Sequence, residues 1–119
     1  MKIGVLTSSR ADYGIYKPLL DLLKLHSNIE LTIIVFGMHL QKQHGMTFNE
    51  IKKDQYENIV KLKGMPYEDS VLAITKGYAK LIDVFAKFWE HNNFTWVFAL
   101  GDRFEMSAAV QAGIPFEVN

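Results

Sequence analysis

Apolar residues along this chain fall into short dense runs separated by longer helical stripes. Ile3 to Leu6, Leu31 to Phe36 and Trp96 to Leu100 are nearly continuous runs rich in Val, Ile and Phe, which predicts strands buried on both faces. Ile59 to Leu62 predicts a weaker strand. Between the first two runs, "IYKPLLDLLKLH" carries Ile15, Leu19, Leu20, Leu22 and Leu23 on one helical stripe, with Pro18 near the expected first turn, where a missing N–H is best tolerated. A longer helix is predicted after Pro66, because Val71, Ile74, Tyr78, Leu81, Ile82, Phe85 and Trp89 recur at spacings of three and four. "RFEMSAAVQAG" predicts a last helix closed by Gly113 as a left-handed cap, and Ile114-Pro115-Phe116 reads as the beginning of a fifth strand. The stretch from Gly37 to Gln55 is loosely patterned and predicts a loop with a short helix over 48–52.

Strands alternating with helices imply right-handed crossovers and a parallel sheet covered on both faces, so the expected fold class is α/β, Rossmann-like and doubly wound. In the strand order 3-2-1-4-5, strands 1 and 4 are neighbours, and ligands bind outside their carboxyl ends where the order reverses. Two loops are therefore expected to meet, "TSSRADYG" after strand 1 and "GDRFE" after strand 4.

Composition narrows the function classes. The 119 residues, 49% of them hydrophobic, suit one domain with a real core. Thirteen basic and thirteen acidic side chains cancel, leaving no overall field to attract nucleic acid or an anionic membrane, so any anion must be met locally. The absence of cysteine excludes disulfides and thiolate metal sites and fits a cytoplasmic setting. "MKIGVL" is too short for the apolar core of a signal peptide, and no segment approaches the length of a membrane span.

Within the two expected loops, Asp102 has two compatible readings. D-R-F-E reads as a capping box in which Asp102 caps the helix and Glu105 reaches back, and a capping carboxylate at a cleft is also able to serve as a base or an anionic stabiliser. Arg10 and Arg103 are ordinary surface arginines unless the switch point brings them to a phosphate, for which a guanidinium offers paired, permanently charged donors. Ser8, Ser9 and Gly14 add donors or room for close backbone approach. His39 and His44 follow strand 2 and either line the same cleft or serve as hydrogen-bonded structural residues, and neither belongs to a set with metal-ligand spacing. His26 and His91 are read at helix ends, and Phe85, Phe88 and Trp89 as core. No glycine-rich dinucleotide or P-loop motif is present.

Taken together, "SSRADYGIYKPLL", "GMHL…HGMTFNEI" and "LGDRFEMSAA…IP" resemble the N-terminal half of the hydrolysing UDP-N-acetylglucosamine 2-epimerases, which open sialic acid and related nonulosonate pathways. Non-hydrolysing relatives usually have Thr where Arg103 stands, which favours the hydrolysing branch. The resemblance implies the N-terminal half of a two-domain glycosyltransferase-B architecture, with a UDP-sugar held in the interdomain cleft and no metal or other cofactor. The implied reaction eliminates UDP to leave a 2-acetamidoglucal, then adds water to release N-acetylmannosamine. By motif match, Asp102 is the implied catalytic acid/base carboxylate, Arg10 and Arg103 are the implied phosphate contacts, and His39 is a sugar-side neighbour.

The family continues past "IP" into a strand ending in H-I-x-G-G-E and a second domain, whereas this chain reads "IPFEVN". The expectation is therefore that residues 1–119 form an incomplete N-terminal Rossmann-like domain, inactive alone, without the C-terminal nucleotide-binding domain. A homo-oligomer fits this expectation; partners from nucleic acid or membrane do not. The alternatives are the N-terminal domain of a nucleotide-sugar glycosyltransferase and a non-catalytic α/β interaction domain. A phosphoacceptor receiver is disfavoured, since Ser8, Ser9 and Arg10 follow strand 1 and Lys63 and Gly64 follow strand 3, where clustered carboxylates would be needed.

Overall fold

The computed structural model describes residues 1–119. Four parallel strands, β1 (Lys2–Thr7), β2 (Glu30–Val35), β3 (Asn58–Lys61) and β4 (Trp96–Phe98), form one sheet in the order β3-β2-β1-β4. β1 holds the centre, with Ile3 opposite Leu31 on one side and Trp96 on the other. The helices are α1 (Arg10–Leu23), α2 (Phe48–Lys53), α3 (Val71–His91) and α4 (Phe104–Gly113).

Because side chains alternate along a strand, each face of the sheet receives its own core. Ile3, Val5, Ile33 and Val35 pack with Tyr13, Tyr16 and Leu20 of α1, while Leu6 and Ile34 pack with Leu81, Phe85 and Trp89 of α3 and Met106 of α4. Tyr16 lies deep in the first core, and burial followed by the nearby charge of Asp12 pushes its phenol up to about 12. The short α2 forms as the sequence predicts, and of the predicted α3 stripe Leu81, Phe85 and Trp89 are buried and Ile74, Tyr78 and Ile82 half-buried, whereas Val71 at its start is exposed.

Three expectations are corrected. First, α1 starts at Arg10, five residues before Ile15, so Pro18 lies inside the helix instead of in its first turn. A capping box causes the early start: the Asp12 N–H donates to Ser9 Oγ at 3.5 Å and the Ser9 N–H to Asp12 Oδ2 at 3.0 Å. R-A-D-Y-G is therefore helix, and only Ser8 and Ser9 form the loop after β1. The proline is tolerated because the carbonyl it leaves without a helical donor belongs to Gly14, which is exposed to water. The buried stripe shifts with the start, leaving Ile15 and Leu22 exposed.

Second, Ile114–Phe116 is a 3₁₀ turn and not a fifth strand, so the observed order is 3-2-1-4. Gly113 stays in the right-handed helical region, φ −81° and ψ −20°, and the left-handed residue is Glu117 at φ 52°. Space, not φ, accounts for this glycine: a Cβ would sit 3.2 Å from the Val118 side chain and 3.3 Å from Trp89 Nε1. β4 donates one hydrogen bond outside the sheet, from the Val97 N–H to the Asn119 carbonyl at 2.6 Å. Third, β4 is not buried on both faces: as an edge strand it leaves Trp96 and Phe98 exposed. No helix is long and apolar enough to cross a membrane.

Candidate functional site

The carboxyl ends of β1, β2 and β4 share one rim, because the strands are parallel neighbours. Beneath that rim, Asp12 is the central acceptor. Thr7 Oγ1 donates to its Oδ1, while Oδ2 receives the Ser8 N–H and hydroxyl at 3.1 and 3.0 Å and the Ser9 N–H and hydroxyl at 3.0 and 3.1 Å. A carboxylate so surrounded fixes the loop after β1.

His39 belongs to this network and not to the cleft surface. It follows β2 in the 3₁₀ turn Gly37–Leu40 and is wholly buried, with Nε2 2.9 Å from Thr7 Oγ1 and Nδ1 2.7 Å from Thr47 Oγ1. Since the Thr7 proton goes to Asp12, Thr7 accepts from His39 Nε2–H, and Nδ1 then accepts from the Thr47 hydroxyl. The ring is thus used at both nitrogens in its neutral form and offers a ligand no free edge. Burial lowers its pKa below the ordinary range, outweighing the charge of Asp12, which acts the other way.

That shift carries a pH dependence. With the folded pKa below the unfolded one, the unfolded chain binds the proton first as pH falls beneath about 6.5, so the stability from neutral His39 is present above that value and lost on acidification through the folded pKa. The expected result is a falling urea midpoint between about pH 6.5 and 5 in the native chain, and a flatter slope over that window in His39→Gln. Equal slopes in the two proteins would refute the assignment.

Gly37 interlocks the loops after β1 and β2. Its φ of +62° is left-handed, and a Cβ there would stand 2.8 Å from the Ser8 carbonyl oxygen and 3.3 Å from Glu105 Cγ. The Phe36 N–H donates to the Thr7 carbonyl at 3.1 Å beside it.

After β4 the chain turns at Gly101, φ +107°, and presents Asp102 to solvent. The capping-box reading of Asp102 is corrected here: Arg103 occupies the N-cap of α4, without a side-chain cap, and Glu105 does not reach back to the backbone. Glu105 instead accepts from Arg103 Nε at 2.5 Å, a charge-assisted bond that outcompetes a neutral cap.

Asp102 and Arg103 stand with His44 along a cleft of about 430 Å³, whose wall also includes Gln41, Met65 and Pro66. Gln41 ties that wall together, donating from Nε2 to the Pro66 carbonyl at 2.7 Å. Glu68 and Asp69 also line it, so the cleft carries both signs of charge. Asp102 and Arg103 line a second hollow as well, of about 550 Å³, with Ala99 and with Ser107 and Val110 of α4. Arg10 lies on the same rim, at the first turn of α1, but does not line the cleft; its guanidinium pairs with Glu50 at 3.6 Å and is largely exposed. No cluster of three or more His, Cys, Asp or Glu side chains is placed to hold a metal ion. Sequence reasoning missed Gln41, Glu68 and Asp69, which lie in loops without periodicity or motif. It also missed the role of Asp12, although S-R-A-D carries a legible capping signal.

Residues 21–119 match the family profile described as UDP-N-acetylglucosamine 2-epimerase. The chain belongs to this epimerase family. It is 37% identical, over 98% of its length, to the UDP-N,N'-diacetylbacillosamine 2-epimerase (hydrolyzing) of Legionella pneumophila. It is 34% identical, over 95% of its length, to polysialic acid biosynthesis protein P7 of Escherichia coli. The chain spans 31% of the first relative and 29% of the second. Its fold is shared with the UDP-GlcNAc 2-epimerase of Neisseria meningitidis solved with UDP-GlcNAc, at a TM-score of 0.75 and 16% identity, covering 99% of this chain and 30% of that one. A second solved UDP-N-acetylglucosamine 2-epimerase superposes at a TM-score of 0.76 and 13% identity, covering 99% of this chain and 31% of that one.

Proposed function

We propose that this epimerase-family chain supplies the N-terminal wall of a cytoplasmic active site that converts UDP-N-acetylglucosamine, or a 2,4-diacetamido analogue, to the 2-epimeric free sugar and UDP. The observation that carries the reading is the placement of a free carboxylate, Asp102, beside a guanidinium, Arg103, at the rim of a parallel sheet in a chain of this family.

In the first step the proton on C2 is removed and the C1–O bond to UDP breaks, leaving a C1=C2 double bond. In the second step water adds at C1 and a proton returns to C2 from the opposite face. Asp102 serves as the acid/base carboxylate for one of these two transfers, and the group on the other face of C2 comes from elsewhere in the complete site. Arg103 meets the diphosphate, whose departure a fixed cation assists without any proton transfer. Arg10 is the second phosphate contact once its exposed pairing with Glu50 gives way. His39 acts from below, holding Thr7 and Thr47 in place.

A further domain completes the site, and the 119-residue chain alone is inactive. The decisive experiment reads the gene beyond codon 119, expresses the complete product and supplies UDP-N-acetylglucosamine. Free N-acetylmannosamine with stoichiometric UDP supports the reading. A glycoside product, or no turnover by a product that contains a second domain, overturns it.

A further inference from the structure

Glu105 is the one acidic side chain in the protein that is wholly buried, and it sits at the candidate site. It lies in the first turn of α4, packed under the positive-φ turn at Gly37. Its Oε1 takes the Arg103 Nε–H, while Oε2 is buried without any partner. Burying a carboxylate with an unpaired oxygen opposes folding, and an apolar side chain of similar size would pack there at less cost. What the carboxylate provides in return is a fixed guanidinium: with Nε held from below, Arg103 keeps its two terminal nitrogens free, and about half of the side chain remains exposed.

We infer that Glu105 is a positioning residue, which aims Arg103 at the phosphate groups of the nucleotide; the inference rests on the phosphate role proposed above for Arg103. An arginine loose on the rim would have to surrender several side-chain rotations on meeting a diphosphate, whereas one already bonded at Nε has lost them in the free protein. The interlocking of Glu105 Cγ with Gly37 and Ser8 further ties the aim of Arg103 to the loops after β1 and β2.

The chain has two arginines, Arg10 and Arg103, so an ¹⁵N spectrum of arginine Nε–H groups contains two signals, assigned by Arg10→Lys. In the native chain the Arg103 signal is expected downfield, sharp and slow to exchange with water, and the Arg10 signal broad. An Arg103 signal that exchanges as fast as that of Arg10 overturns the inference without any variant being made.

Titration with UDP into the millimolar range then tests the purpose of the contact. Glu105→Gln, nearly isosteric, is expected to weaken UDP binding roughly tenfold while the backbone spectrum keeps its dispersion. In an Arg103→Lys background the same substitution is expected to cause no further loss, because the two side chains act as a unit. An equal loss in both backgrounds means that Glu105 serves the fold alone and refutes the positioning role. If the native Arg103 signal is downfield and protected but does not move with UDP, the phosphate assignment fails, and the inference falls with it while the contact itself stands.

Discussion

Phe85→Ala is expected to remove about 3–5 kcal/mol of stability, read as a drop in the urea midpoint at unchanged slope. Phe85 is wholly buried at the middle of the core between the sheet and α3, with its ring edge-on to Phe36 at 4.8 Å and further contacts to Phe88 at 6.4 Å and Trp89 at 5.9 Å. Deleting the ring leaves a cavity walled by other aromatic rings, which interlock and collapse poorly into it. Against a typical total of roughly 5–15 kcal/mol, the loss brings the chain near the unfolding threshold at physiological temperature. The effect extends to the site, because Phe36 directly precedes Gly37 and the turn that carries His39. Ile15→Ala is the informative contrast: the same periodicity argument puts Ile15 on a buried stripe, but the residue is 69% exposed, so its truncation is expected to change stability by no more than about 0.5 kcal/mol. Comparable losses at the two positions would contradict the packing described here.

That contrast marks what the sequence carried. α3 was legible because its apolar spacing persists over 21 residues, long enough for one phase to dominate. The parallel order was legible from strand–helix alternation alone, as far as β4. α1 was misplaced because its first turn is built of R-A-D-Y, without apolar periodicity, and the signal that fixes its start is a capping box. The same motif logic was applied at Asp102, where it failed, since a neighbouring arginine offered Glu105 a stronger partner than the backbone. Ile114-Pro115-Phe116 looked like a strand because three residues are too few to separate a strand from a tight turn. At the site, topology led to the expectation that the loops after β1 and β4 meet, but the cleft joins Asp102 and Arg103 to the loop after β2 and leaves Arg10 outside, paired with Glu50. The burial of His39 was not legible either, because its partners Thr7 and Thr47 are remote in sequence and common in type.

Asp102→Asn is expected to lower turnover of the complete enzyme by a factor of about 10²–10⁴, with the urea midpoint of the chain unchanged. The two halves of this result have separate causes. On the proposed role, turnover falls because an amide cannot carry out proton transfer on the face of C2 that Asp102 serves, and every other side chain at the rim keeps its place. Stability holds because Asp102 is exposed and caps nothing: the N-cap is Arg103, so the helix start loses no hydrogen bond. Asp102→Ala sharpens the case. Had Asp102 been the cap, alanine would cost about 1 kcal/mol and asparagine almost nothing. In the observed geometry both substitutions leave stability within about 0.5 kcal/mol of the native chain, while both abolish proton transfer on that face. A midpoint that falls for alanine but not for asparagine would restore the capping role. Turnover that survives asparagine would move the proton-transfer function to another carboxylate of the cleft, with Glu68 and Asp69 the first to be tested.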